Sequence, residues 1–155
     1  LEYMPLAVEK NLTASKYIQT AGARMKKYEV DRTAYADGCM PDNDIVLFRY
    51  ADVLLMRAEA TIRNGGDGTA DMNAVRSRAG MPPRPATLDN ILTERLLELA
   101  WEGWRRQDLV RFSRYCCAYD LRTPVEKEET GFTTVFPIPE KCIELNGNLK
   151  QNPGY

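Results

Sequence analysis

The sequence predicts a mainly α-helical protein, a helical hairpin followed by a long helix, with irregular loops and short strands around them. Three observations point there. Ala51, Leu54, Leu55, Ala58 and Ile62 recur at the spacing of one helix face. Leu88, Ile91, Leu92 and Leu99 do so again further on. Between the first helix and the next apolar pattern lies Asn64-Gly65-Gly66-Asp67-Gly68, short and glycine-rich as a helix-to-helix turn requires.

Residues 1–44 show weak periodicity, tyrosines at 3, 17, 28 and 35, and a turn-rich close from Asp37 to Asn43. They are expected to be an irregular, loop-rich lead-in belonging to a larger domain. The opening LEYMPLAVEK begins without an initiator methionine, and further chain is expected ahead of it. Ile45 to Phe48 is a short apolar run suited to a buried strand. The first helix starts near Arg49; its second apolar side, Val53, Met56 and Ala60, predicts burial on both faces. A second helix is expected over 69–79 with Met72, Val75 and Ala79 inward and Arg76 and Arg78 elsewhere. Gly80 and the prolines at 82, 83 and 85 stop it.

The third helix is expected to begin after Thr87 as N-cap and run to about Glu102, with a break at Gly103 and a further helical piece over 105–114. Within it Arg95 and Glu102 fall on the apolar stripe. Unpaired buried charges cost several kcal/mol or more, so partners are required, and Glu98, Arg105 and Asp108 are the nearest in sequence. Leu97, Trp101 and Trp104 recur on the opposite side; Trp101 is expected in the core. Beyond Tyr115, Lys127 to Gly131 reads as a solvated loop, Phe132 to Phe136 as a short strand, Pro137-Ile138-Pro139 as extended chain, and Cys142 to Leu145 as a helical turn.

Composition excludes several functions. The 155 residues carry 21 Lys plus Arg against 22 Asp plus Glu, without a basic block, so nucleic acid is not an expected partner. Histidine is absent, which removes the commonest general base and metal ligand. Cys39, Cys116, Cys117 and Cys142 lack ligand spacing and read as structural thiols, with no disulfide pair selected. Glu94, Glu98 and Glu102 stand at i, i+4, i+8, a spacing that can face a metal pair, but the Glu-x-x-His such sites use is missing. Arg95, Arg105 and Arg106 favour a salt-bridged network instead.

A glycoside-cleaving carboxylate pair needs an open cleft between the acids. Asp37, Asp42 and Asp44 sit in turn-rich chain where Asp is common for backbone reasons. Neither an enzyme nor a cofactor or metal is expected. No apolar run approaches the ~18–20 residues of a membrane span. Tyr28 and Tyr35, beside Asp31, Arg32 and Asp37, join Trp104 as the candidates for stacking on a polar ligand.

Four ordered blocks carry a resemblance. Arg49-Tyr50-Ala51-Asp52-Val53-Leu54-Leu55-Met56 with Ala58-Glu59-Ala60, then Asn73 to Gly80, then Glu94-Arg95, Glu98-Leu99-Ala100, Glu102-Gly103-x-Arg105 and Asp108-Leu109-x-Arg111-Phe112, then Pro137-Ile138-Pro139 and Gln151-Asn152-Pro153-Gly154-Tyr155. Over residues 45–155 the chain resembles the C-terminal part of the SusD/RagB family. That resemblance implies a tetratricopeptide-like hairpin within an outer-membrane, surface-facing lipoprotein, non-catalytic, that captures oligo- or polysaccharide for a SusC-like TonB-dependent transporter. The lipid anchor, the only membrane attachment implied, is not in this chain. The alternative it leaves is a helical scaffold that docks the transporter without binding glycan. Trp104-Arg105-Arg106-Gln107 departs from the family pattern, in which the aromatic follows the arginine.

Overall fold

A computed structural model describes residues 27–29, 31–38, 41–118 and 122–155; the side chains of Tyr35 and Asp37 and all of Cys39 lie outside that description. The chain divides into two units, Leu1–Ile45 and Val46–Tyr155, and each is taken by itself. In the first, Asp31 organises the backbone. Its carboxylate accepts from Thr33 N (2.8 Å), Thr33 Oγ1 (2.7 Å) and Asp42 N (2.9 Å). These donors, the Asp42 amide foremost, hold its carboxyl below the usual range. A 3-10 turn, Ala34–Asp37, follows and closes at Gly38.

Among its described residues the second unit contains five α-helices: α1 (Tyr50–Arg63), α2 (Thr69–Arg78), α3 (Leu88–Glu98), α4 (Arg105–Arg111) and α5 (Glu140–Leu145). α1 and α2 pair as the expected hairpin, and α3 lies against both. Leu54, Leu55 and Ala58 of α1, Met72 and Val75 of α2 and Ile91 of α3 form the core, with Ala51, Ile62, Ala86 and Phe112 packed around it. The hairpin closes tightly because Gly68 has no side chain. A Cβ there would stand 2.5 Å from the Ala58 carbonyl oxygen.

Helix ends follow local chemistry. Thr87 caps α3 by accepting from Asn90 N. α2 ends in a Schellman pair, Met81 N to Arg76 O (2.9 Å) and Gly80 N to Ser77 O (3.0 Å), with Gly80 left-handed. α4 ends the same way, Arg114 N to Leu109 O and Ser113 N to Val110 O, with Ser113 in the left-handed place.

Several expectations are corrected. No strand forms among the described residues: Ile45, Leu47 and Phe48 are exposed in irregular chain, and 132–134 is a 3-10 turn. α3 stops at Glu98 rather than Glu102, since Trp101 and Gly103 both take left-handed backbone and turn the chain away. Trp101 is consequently not core but 74 % exposed. The second side of α1, Val53, Met56 and Ala60, is exposed as well. On α2 the buried set is Met72, Val75 and Arg76, with Ala79 outside. Glu128, expected in a solvated loop, is buried; it accepts from Thr133 Oγ1 (2.6 Å) and Val125 N (2.9 Å) and pairs with Arg122.

The two segments of the final sequence block form one structure. Prolines at 137 and 139 contribute no N–H, so between them only Ile138 needs a partner for both backbone groups. Gln151 satisfies both, accepting from Ile138 N and donating to Ile138 O at 2.8 Å each. Asn152 donates to Phe136 O and the Tyr155 hydroxyl to Val135 O, while the Tyr155 ring meets Phe132 edge-on at 5.2 Å.

Candidate functional site

The charges of α3 do what their placement requires: of the partners expected from sequence Arg95 takes Asp108, and it adds Asp52 from α1. Arg95 is 2 % exposed. Its Nε donates to both oxygens of Asp108 (2.9 Å each) and its Nη1 to Asp52 Oδ1 (2.7 Å). Glu98, expected among the partners of this stripe, and Glu102 instead receive Arg49 from just before α1; Glu98 also accepts from Arg78. Arg105 donates to the Leu92 carbonyl oxygen. Arg76 pairs with Glu94 and donates to Pro82 O, tying α2 to α3 and to the proline-rich link. The i, i+4, i+8 glutamates are thus each held by arginine, and no metal-ligating cluster occurs among the described residues.

The Arg95 network extends outward. Asp108 also accepts from Arg111 (2.8 Å), and Arg111 reaches Glu59, which accepts from Arg63 at 2.7 Å as well. Burial pushes the Glu59 carboxyl up, but the two arginines outweigh it and hold the group below the usual range. Arg63 and Arg111 lie over the Phe112 ring at 4.8 and 4.9 Å, within cation–π distance. Among the described residues, the buried oxygens Asp52 Oδ2 and Glu59 Oε2 have no hydrogen-bond partner.

Beside this network a cleft of about 560 Å³ opens between α1 and α4. α1 contributes Met56, Glu59, Ala60 and Arg63 to its lining, and Trp104, Gln107, Asp108 and Arg111 come from the α4 side. Trp104 is half-buried and its ring meets Phe48 at 5.5 Å with a 46° tilt. α4 continues directly from Trp104 as its N-cap position, so the ring's place is set by a helix rather than a loop. Of the three residues expected to stack on a ligand, Trp104 alone lines this cleft. Tyr28 is half-buried in the other unit, and Tyr35 sits in the Ala34–Asp37 turn with its side chain outside the described residues. Sequence reading missed Glu59, Arg63 and Arg111 as members, and Phe48 as the ring beside Trp104. The Glu59–Arg63 spacing of four and the Asp108–Arg111 spacing of three were available signals.

Arg106 fastens the following segment. Its guanidinium lies between the Tyr115 and Phe136 rings, at 5.1 and 4.4 Å, and donates to Thr134 O at 2.9 Å.

Comparison with known proteins assigns this architecture. The SusD family profile matches residues 8–155. The chain belongs to the SusD family. It is 34 % identical over 139 residues to the starch-binding protein SusD of Bacteroides thetaiotaomicron, covering 85 % of this chain and 25 % of that protein. It is 32 % identical over 133 residues to the SusD-like protein P38 of Formosa agariphila, covering 74 % and 25 %. Among solved structures it resembles surface glycan-binding protein A of B. thetaiotaomicron in complex with laminarihexaose, with TM-score 0.63, 34 % identity, and coverage of 72 % of this chain and 25 % of that one. A laminarin-binding SusD-like protein matches with TM-score 0.55 and 37 % identity over 70 % of this chain and 23 % of that one. The chain therefore spans about a quarter of the length of the SusD-family relatives it matches.

Proposed function

We propose that this chain is the C-terminal part of a non-catalytic SusD-type lipoprotein on the outer-membrane surface, one that captures oligo- or polysaccharide for a SusC-like TonB-dependent transporter. Residues 45–155 supply its helical region and 1–44 a loop-rich lead-in, with Trp104, Tyr28 and Tyr35 as ligand contacts. The observation that carries this reading is the likeness, at 34 % identity, to a relative solved with laminarihexaose. The cleft chemistry agrees. A glycosidase acid must hold its proton near neutrality, with a raised pKa. Glu59, the carboxylate at the cleft, is shifted the other way, which does not suit that role. Isothermal titration of the protein against a glycan panel should show binding, with no reducing ends released over the same period; release of reducing ends would end the non-catalytic reading.

A second reading, a scaffold that docks the transporter without binding glycan, is favoured by one observation: Val53, Met56 and Ala60 on α1 and Leu97 and Trp101 after it are exposed apolar groups. Retention of the transporter by this chain, together with no heat from any glycan, would select it.

A further inference from the structure

We infer that the cleft between α1 and α4 is a subsite for an uncharged sugar unit and discriminates against acidic sugars, an inference that rests on the glycan-capture reading above. The volume of about 560 Å³ lies within the range of small-molecule sites. Its walls match the two-sided chemistry of a pyranose, whose ring face is a patch of C–H groups and whose rim carries hydroxyls. Trp104 on one side and Met56 and Ala60 on the other offer apolar surface to the ring face.

The rim finds neutral or already compensated partners. Gln107 is exposed, with an amide that both donates and accepts. Arg63 uses its Nε on Glu59, leaving its terminal amines as donors, and its side chain is 41 % exposed.

Charge decides against acidic sugars. Among the described residues the network behind the cleft joins three guanidiniums, Arg63, Arg95 and Arg111, to three carboxylates, Asp52, Glu59 and Asp108. Every cation already faces a carboxylate. A uronate or sulfate would place a fourth negative charge beside Glu59 and Asp108 with no uncompensated cation to meet it. Hydroxyl groups, which both donate and accept, require no such compensation. Glu59 Oε2 is itself buried, so Glu59 acts on the ligand through its charge and through the arginines it orients.

The test is titration calorimetry of the whole chain with laminarihexaose and maltohexaose as neutral probes and hexagalacturonate as the acidic one, on the wild type, Trp104→Ala, Gln107→Ala and Glu59→Gln. The wild type should bind at least one neutral hexaose at least about tenfold more tightly than the uronate. Trp104→Ala should lose about tenfold or more of the neutral affinity, and Gln107→Ala a smaller part. Glu59→Gln removes one carboxylate and should narrow the gap by strengthening uronate binding. Circular dichroism checks each variant's fold; if Glu59→Gln does not fold, Trp104→Ala and Gln107→Ala still decide. Uronate binding as tight as neutral binding would overturn the inference. So would neutral affinity unmoved in both Trp104→Ala and Gln107→Ala, with glycan capture then standing at another site. No heat from any of the three sugars would end the capture reading itself and the subsite with it.

Discussion

Replacing Arg95 by alanine should be the most damaging single change to this fold. Asp52 is fully buried; Arg95 Nη1 at 2.7 Å is its charge partner, and its Oδ2 has no hydrogen bond. Without the guanidinium, a carboxylate would remain in the core with neither cation nor donor on that side. Breaking a buried pair from one side typically costs ~3–5 kcal/mol. Asp108 adds less, because Arg111 still donates to it at 2.8 Å. The void left by the arginine stem acts in the same direction. Domains of this size hold about 5–15 kcal/mol in total, so the variant should lose roughly a fifth of its stability or more. The assay is urea unfolding followed by circular dichroism at pH 7, on Arg95→Ala, Asp52→Asn and the double variant. Removing the orphaned charge as well should recover part of the loss, a coupling of ~1–3 kcal/mol. Salt should change little, as the pair is buried. A loss under ~1 kcal/mol for Arg95→Ala, or additivity within ~0.5 kcal/mol, would refute the reasoning.

Three further outcomes follow from the same geometry. Glu59 has a lowered folded-state pKa, so its stabilising contribution is present above the unfolded value of about 4.3 and lost as pH falls through the folded value. The difference in urea midpoint between wild type and Glu59→Gln should accordingly shrink on acidification below about pH 4, and a pH-independent difference would contradict the shift. Gly68→Ala should lower the melting temperature, at a cost of ~1–3 kcal/mol, because the new Cβ meets the Ala58 carbonyl oxygen and Cα; an unchanged melting temperature would show that the hairpin relaxes freely. Arg106→Ala removes two ring contacts and the bond to Thr134 O, about 1–2 kcal/mol together, and should speed limited proteolysis within 122–136 relative to the α1–α2 hairpin. Equal cleavage rates in variant and wild type would count against that clasp.

Sequence by itself determined what depends on neighbours within a few residues. The helical period of 51–62, the Thr87 cap, the Gly80 stop and the need for charged partners around Arg95 and Glu102 are all consequences of local spacing. Tertiary structure decided which partners meet. Arg95 reaches Asp52 across 43 residues and Arg49 reaches Glu102 across 53, and a periodic pattern names the face of a helix but not what lies opposite. It also decided the fate of the two tryptophans. Left-handed backbone at Trp101 turns that ring into solvent, while the start of α4 three residues later sets Trp104 beside Phe48 in the cleft wall. Both outcomes hang on backbone turns and on contacts distant in sequence, whose energies no local pattern contains.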